Sequence, residues 1–253
     1  MNAMKISVLT IFPDQFDSFL NHPLVRRAIR NEQLTVRIID IKEYADGSFR
    51  HIDDSPYGGG AGMILRCEPV YRCLDEIRTA ASHTIAFTPG GTVYSQADAH
   101  RLAGTEDLIL LCGHYEGFDA RIMNAVDEQL SVGDYVLSGG ELPAMTVIDS
   151  IVRLLEGTLK PESTGEESFE HSLLEHPQYT RPADFRGMKV PEVLLSGHAE
   201  KIRIWKRKES LRATRNSRPD LLEKAALTDE DQILMEELID EEQCNEGNPD
   251  HGD

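Results

Sequence analysis

Apolar residues in the first 155 positions fall either into short runs or at helical spacing. Short apolar runs bounded by turn residues predict buried strands, and apolar residues three or four positions apart predict helices. The predicted strands are 5–11, 34–41, 84–88, 108–112 and 129–137. The predicted helices are 23–31, 69–80, 95–103 and 142–155. Strands that alternate with helices in this way are typical of an α/β fold with a mostly parallel sheet.

The pattern changes after residue 155. The segment EGTLKPESTGEE at 156–167 is poor in apolar residues and rich in Gly, Ser, Thr and Pro, which indicates a mobile linker between domains. Helices are predicted beyond it at 198–213, 219–226 and 229–242, the last beginning at the cap signal of Thr228 to Asp231. We therefore expect an α/β domain at 1–157, a linker at 158–169, a helical domain at 170–243 and a disordered acidic tail at 244–253.

Charge is distributed unevenly. The net charge is −18, yet residues 181–218 contain eleven Lys and Arg against four acids, and residues 219–253 contain thirteen acids against one Lys. An excess of basic residues on one face can neutralise phosphates, so Lys206, Arg207, Lys208 and Arg212 are candidate RNA contacts. The alternative is a solvated basic helix that pairs with the acidic segment, and composition favours neither.

Composition sets broad limits. The chain is 40% hydrophobic and contains no apolar run of membrane-spanning length, which predicts a protein that does not enter membranes. Its first ten residues lack the regions of a signal peptide, so we expect a cytoplasmic protein. The four cysteines form no CxxC pair, and neither a zinc site nor a disulfide framework is indicated.

Glycine-bearing loops follow three predicted strands. They read TPGG at 88–91, GHYEG at 113–117 and SVGDYVLSGGELPAM at 131–145. Ligands settle beyond the carboxyl ends of strands in open α/β sheets, so these loops predict one pocket. No GxGxxG opens a helix and no GxxxxGK[ST] occurs, which weighs against a dinucleotide or P-loop site.

The residues of this pocket suit adenosine with a cationic substituent. Its walls offer peptide groups, with Tyr115 and Tyr135 for stacking and Glu116 and Asp134 to favour a cation. Each tyrosine taken singly is as well explained by packing, and the glycine pair 139–140 by an ordinary turn.

Several long motifs resemble those of the bacterial tRNA (guanine-N1)-methyltransferases of the SPOUT superfamily. They are PYGGGAGM at 56–63, GHYEGFDAR at 113–121, SVGDYVLSGGELPAM at 131–145, HPQYTRP at 176–182 and VPEVLLSGHAEKIRIW at 190–205. The resemblance implies a deep trefoil knot in the α/β domain, followed by a small helical domain. It also implies an obligate homodimer with active sites at the subunit interface, and methyl transfer from S-adenosylmethionine to N1 of the tRNA guanosine 3′ of the anticodon.

The resemblance also assigns roles to individual residues. The cofactor contacts it implies, together with neighbours in the same loops, are Pro89, Gly113, Tyr115, Glu116, Val132, Gly133, Asp134, Tyr135, Val136, Leu137, Gly139 and Gly140. It implies a general base at Glu167, assisted by Arg153. Glu167 replaces the aspartate of the family, and the adjacent Glu166 is a possible substitute.

Three further expectations remain open. His114 stands where the family has arginine, which predicts that an RNA contact is weaker or replaced. The 56–63 glycine loop suits either a phosphate or the edge of the cofactor, or tight packing beside the knot. The resemblance implies a magnesium requirement, but the sequence has no metal-ligand cluster and we assign no metal ligand. The rival functions are a ribosomal RNA methyltransferase of the same superfamily and a catalytically silent RNA-binding relative.

Overall fold

The computed structural model describes residues 3–47, 50–159 and 167–246, with side chains to residue 243. The chain divides into two compact units, Met1–Lys160 and Pro161–Asp253, which we call unit 1 and unit 2 and describe separately. Most of the predicted linker, with Glu166, lies outside the described residues. Among the described residues, no helix combines the length and apolar character needed to cross a membrane.

Unit 1 is built on a five-stranded sheet in which all neighbouring strands are parallel. Its strands are β1 (Met4–Thr10), β2 (Leu34–Asp40), β5 (Ser82–Val93), β6 (Asp107–Leu111) and β7 (Glu128–Ser131), in the order β2-β1-β6-β5-β7. The short strands β3 (Asp53–Asp54) and β4 (Ile64–Leu65) form a separate antiparallel pair. The α/β prediction with a mostly parallel sheet is therefore confirmed.

Helices cover both faces of this sheet. They are α1 (Asp17–Leu20), α2 (Pro23–Arg30), α3 (Cys67–Ile77), α4 (Gln96–Ala103) and α5 (Glu141–Leu154). The central strand β6 is apolar at every position after Asp107, because both of its faces are covered: Leu108 and Leu110 pack on the α5 side, whereas Ile109 and Leu111 pack on the α3 side. A strand buried on both faces needs apolar residues at every position.

Two predicted strand ends are wrong. The strand predicted at 129–137 ends at Ser131, because Gly133 has a φ of +151° and turns the chain away from the sheet. The strand predicted to end at Thr88 continues to Val93, since a register shift between Phe87 and Thr92 accommodates the Pro-Gly-Gly sequence as a bulge.

Unit 2 is mostly helical. It contains α6 (Glu192–Leu195), α7 (Ala199–Ser217), α8 (Pro219–Leu222) and α9 (Asp229–Glu246), with a hairpin of β8 (Asp184–Phe185) and β9 (Met188–Lys189). Its core consists of Leu173, Leu211, Leu234 and Leu238. The helix predicted at 219–226 ends at Leu222, because Lys224 N and Ala225 N bond to carbonyls only three residues back.

The start of α9 follows the predicted cap signal. Thr228 Oγ1 accepts a hydrogen bond from Asp231 N at 3.2 Å, and Asp231 Oδ2 accepts one from Thr228 N at 2.9 Å. This reciprocal pair is a capping box, which satisfies backbone donors that the first helical turn would leave unpaired.

Candidate active site

A cavity of about 410 Å³ opens in unit 1 at the carboxyl ends of β5, β6 and β7. The three predicted glycine-bearing segments meet there, because their strands are neighbours in the sheet. The volume lies within the range that ligand pockets commonly have. The predicted cofactor contacts that line it are Pro89, Gly113, Tyr115, Glu116, Val132, Tyr135, Val136, Leu137, Gly139 and Gly140.

The 132–140 loop reaches the cavity without joining the sheet. Gly133 and Asp134 belong to this loop but are not among the cavity-lining residues. Val136 is 83% exposed and Tyr135 is 58% exposed, so neither contributes to a core. Their apolar character, which made the strand prediction too long, instead provides an apolar wall for a ligand.

Two of the loops touch through their main chains. Gly140 N donates a hydrogen bond to Gly113 O at 2.9 Å. A Cβ added at Gly140 would lie 2.6 Å from Cys112 Cα, and one added at Gly113 would lie 2.7 Å from the Phe118 ring. Side chains are therefore sterically excluded at this junction, and the cavity wall there consists of peptide groups.

Residues of the neighbouring β3–β4 region contact polar groups of the 113–117 loop. Tyr115 adopts a left-handed backbone with φ +60°, and partial burial together with the Asp53 carboxylate raises the pKa of its hydroxyl. Glu116 N donates to Met63 O at 3.0 Å, and a Cβ at Gly62 would overlap with the Glu116 side chain. Tight packing therefore holds at Gly62, whereas a Cβ at Gly58 or Gly59 would meet no atom within 4 Å.

The sequence prediction missed part of the cavity wall. The remaining lining residues are Phe87, Thr88, His114, Gly117, Phe118, Met123, Gln129, Leu130, Ser131, Ser138 and Pro143. Several are apolar strand or loop residues whose pattern is that of an ordinary core. His114 could have been found, because it stands between Gly113 and Tyr115 in the same loop.

The predicted catalytic residues lie in different units. Arg153 is in the last turn of α5, and Glu167 is the first described residue of unit 2 after the gap. Both make interactions within the chain. After α5 the chain is held on unit 1, because Arg27 donates to Thr158 O and Gln33 donates to Glu156 O. Glu167 lines a second cavity, of about 600 Å³, within unit 2.

The predicted RNA contacts lie on α7 and face the acidic helix α9. Arg207 donates to both oxygens of Asp231, at 2.6 and 2.9 Å. Lys208 lies 2.7 Å from Glu237 and 2.8 Å from Glu241, and Arg212 lies 2.6 Å from Glu241. These three cations therefore pair with the acidic segment, as the alternative expects, and RNA binding by them stays a prediction. Lys206 lines the second cavity.

Metal ligation has less support. Among the described residues, no group of three or more His, Cys, Asp or Glu is placed to hold a metal ion. The magnesium requirement that the family resemblance implies stays a prediction.

Comparison with known proteins assigns the family. The family model for tRNA (guanine-1)-methyltransferase TrmD matches residues 4–224. The tRNA (guanine-N(1)-)-methyltransferase of Moorella thermoacetica is 47% identical over 241 residues, covering 93% of this chain and 96% of that protein. The corresponding proteins of Anoxybacillus flavithermus and Listeria monocytogenes are 48% identical over 239 residues and 45% identical over 243 residues. They cover 92% and 94% of this chain, and 98% and 99% of their own lengths. With a family model that spans most of the sequence and relatives this similar over nearly their whole lengths, the chain belongs to the tRNA (guanine-1)-methyltransferase family.

Proposed function

We propose that this protein transfers a methyl group from S-adenosylmethionine to N1 of guanosine at tRNA position 37, in tRNAs where a guanosine precedes it. The observation that carries the proposal is the cavity in unit 1, whose wall is formed by the 113–117 and 132–140 loops. These loops lie within the segment that matches the family model.

The cavity suits this cofactor. Peptide groups of the 113–117 and 132–140 loops line the cavity and can bond to the adenine and ribose, while Tyr135 and Leu137 provide apolar contacts. The Glu116 carboxylate lines the same wall and favours a cationic ligand. When bound, the cofactor supplies an electrophilic methyl group on a sulfonium centre.

The reaction requires a base, because guanine N1 carries a proton. The N1–carbon bond forms as the carbon–sulfur bond breaks, and the N1 proton passes to a carboxylate, for which we propose Glu167. Arg153 then stabilises the negative charge that develops toward O6. Glutamate is one methylene longer than the aspartate of the family, and the extra reach alters the position from which the base acts.

Substrate binding and assembly complete the proposal. We assign tRNA contacts to the helical domain at 170–243, through Lys206, Arg207, Lys208 and Arg212, and a connecting role to the linker at 158–169. The enzyme is a cytoplasmic homodimer whose active sites combine residues of two chains, and the α/β domain at 1–157 contains the trefoil knot of the SPOUT superfamily.

A methylation assay tests this function. Purified protein, radiolabelled S-adenosylmethionine and a tRNA transcript with guanosines at positions 36 and 37 should yield 1-methylguanosine at position 37. A matched transcript with adenosine at position 36 should react far less. Absence of transfer to the first transcript would contradict the proposal, and preferential labelling of a ribosomal RNA fragment in competition would support the rival substrate.

A further inference from the structure

A carboxylate is buried directly behind the cavity wall. Glu141, the first residue of α5, is 2% exposed. Its Oε1 accepts a hydrogen bond from Thr10 Oγ1 at 2.5 Å, and its Oε2 lies 2.8 Å from His114 Nε2. A buried carboxylate is strongly destabilising without such partners, and the N-terminal end of a helix also favours its negative charge.

The carboxylate determines which nitrogen of His114 carries the proton. An ionised carboxylate can only accept, so His114 Nε2 is the donor in this bond. His114 Nδ1 makes no hydrogen bond with any residue that the structure describes. Since the side chain lines the cavity, Nδ1 is the nitrogen left for a ligand.

A second contact fixes the imidazole ring and leads back to the same threonine. The Phe12 ring stands edge-on to His114, with 4.7 Å between the ring centroids. Phe12 N donates to Thr10 Oγ1 at 2.9 Å, and Thr10 donates to Glu141. Thr10 is the last residue of β1. These contacts therefore fix the His114 ring relative to the sheet rather than only to its own loop.

The pair also joins the two cofactor loops. His114 and Gly139 form an isolated antiparallel bridge. A Cβ added at Gly139 would overlap with both the His114 imidazole and the Glu141 carboxylate. The glycine therefore lets the 132–140 loop pass closely over the His114–Glu141 pair.

We propose that Glu141 is a positioning residue, which holds His114 so that Nδ1 accepts a hydrogen bond from a hydroxyl or amino group of bound S-adenosylmethionine. The inference rests on the proposed function for the identity of the ligand. It gives this chain a cofactor contact at the position where the family has arginine, whose guanidinium could only donate.

Titration calorimetry with S-adenosylmethionine alone tests the inference. Glu141→Gln keeps the shape but offers one acceptor oxygen instead of two. His114→Gln keeps a polar group near Glu141 and removes Nδ1. Each should weaken cofactor binding about tenfold, as expected for one hydrogen bond with a charge-oriented partner. The double variant should bind no more weakly than His114→Gln, because both changes remove the same contact.

Kinetics and NMR separate positioning from a general structural role. We expect the KM for S-adenosylmethionine to rise in Glu141→Gln while kcat at saturating cofactor stays within about twofold. In ¹⁵N-histidine spectra, the Nδ1 resonance of His114 should be that of an unprotonated nitrogen and should shift on cofactor addition. The Glu141→Gln spectrum should lose this tautomer preference.

The outcomes are distinct. A folded wild-type protein that binds no S-adenosylmethionine would contradict the proposed function. Normal wild-type binding with unchanged affinity in both single variants, or losses that add in the double variant, would overturn the role of Glu141. If Glu141→Gln does not fold, Thr10→Val is the second variant, because it removes the Thr10 bond to the carboxylate and the acceptor of Phe12 N while keeping Glu141. Unchanged cofactor affinity in that variant overturns the inference equally.

Discussion

Two consecutive glycines, Gly139 and Gly140, stand where side chains do not fit. Gly140 faces the backbone of Cys112, and Gly139 lies over the His114–Glu141 pair. Glycine pairs are common in turns, so the sequence alone cannot distinguish this steric requirement from a need for flexibility. The distinction is physical, because neither glycine has a positive φ. Close approach to the Cys112 backbone excludes a side chain at Gly140, and close approach to the His114 and Glu141 side chains excludes one at Gly139.

Replacing Gly140 by Ala should therefore separate the two cofactor loops. The added Cβ would lie 2.6 Å from Cys112 Cα, so the backbone must shift. We expect a loss of about 1–3 kcal/mol in the free energy of unfolding. Cofactor affinity should fall by at least about tenfold. Urea unfolding and calorimetry measure the two effects.

Gly90→Ala is the matched control, since a Cβ there would meet no atom within 4 Å. Equal behaviour of the two variants would show that the Gly113–Gly140 junction does not shape the cavity.

Glu167→Ala should remove the proposed base without removing the substrate. Loss of a general base typically lowers turnover by about 10²–10⁴-fold, whereas tRNA affinity should change little. Single-turnover methylation and a filter-binding assay measure the two quantities.

Glu170→Ala is the control, because Glu170 lines the same second cavity. Glu167→Asp, which restores the residue expected from the family, should retain activity. Retained turnover in Glu167→Ala, with a loss in Glu166→Ala, would move the base to the adjacent residue.

At the scale of elements, α7 and α9 are held together by ion pairs that include a buried one. The Asp231 side chain is 1% exposed, and the Arg207 guanidinium lowers its pKa from 3.8 to about 2. A carboxylate with a lowered pKa stabilises the folded state above its unfolded pKa. That contribution is lost as the pH falls through about 2.

Asp231→Asn should accordingly destabilise unit 2 by about 2 kcal/mol at neutral pH, and the difference from wild type should shrink below about pH 4. Urea unfolding at a series of pH values, monitored by the fluorescence of Trp205 in unit 2, measures both. Glu242→Gln is the control, because its partner Arg215 joins it in an exposed pair that contributes little. A penalty that stays constant down to pH 2 would contradict the ion-pair explanation.

The ion pairs also refine the test of RNA binding. Arg207 supports the fold through Asp231, so the informative variant combines Lys206→Ala, Lys208→Ala and Arg212→Ala. It should weaken tRNA binding and reduce the salt slope of log K by about one for each phosphate that the variant no longer neutralises. Fluorescence anisotropy across a salt series measures both quantities.

Glu237→Gln with Glu241→Gln is the matched control. It breaks the pairs that Lys208 and Arg212 make with α9, but it keeps both cations and the Arg212–Glu209 pair within α7. The affinity for tRNA should stay the same or increase in this control. Equal weakening in both sets would mean that α7 only packs on α9.

The elements that the sequence predicted well are those decided by local pattern. β6 is apolar from Leu108 to Leu111, and α5 has apolar residues at helical spacing. The limits of both elements differ from the prediction by a single residue. The strand predicted at 129–137 is too long, because the apolar residues Val136 and Leu137 line the cavity instead of packing in a core. Contacts between residues distant in sequence, such as Glu141 with Thr10, cannot be predicted from periodicity. Each of the two residues fits the pattern of its own strand or helix, and neither pattern indicates the partner.

At the scale of the whole molecule, the acidic net charge and the basic segment are explained together by where the charged residues lie. The acids of α9 lie against α7, so the formal excess of the basic segment overstates the charge that α7 presents to a phosphate backbone. Electrostatic attraction for tRNA then depends on which cations remain available once the substrate competes with α9. A protein of net charge −18 should bind tRNA with a steep dependence on salt only if such an exchange occurs.

The proposed homodimer has a consequence that Gly140→Ala and Glu167→Ala can test together, at a cofactor concentration low enough for the Gly140→Ala homodimer to be inactive. If each active site combines a cofactor loop of one chain with Glu167 of the other, a heterodimer of Gly140→Ala and Glu167→Ala chains contains one site with both defects and one with neither. The purified heterodimer should therefore have about half the activity of the wild-type dimer. Co-expression with two different tags, purification of the doubly tagged dimer and a methylation assay measure this directly. Homodimers of each variant, mixed without subunit exchange, are the control. If each site were complete within one chain, every chain of the heterodimer would carry one defect, and no activity would return.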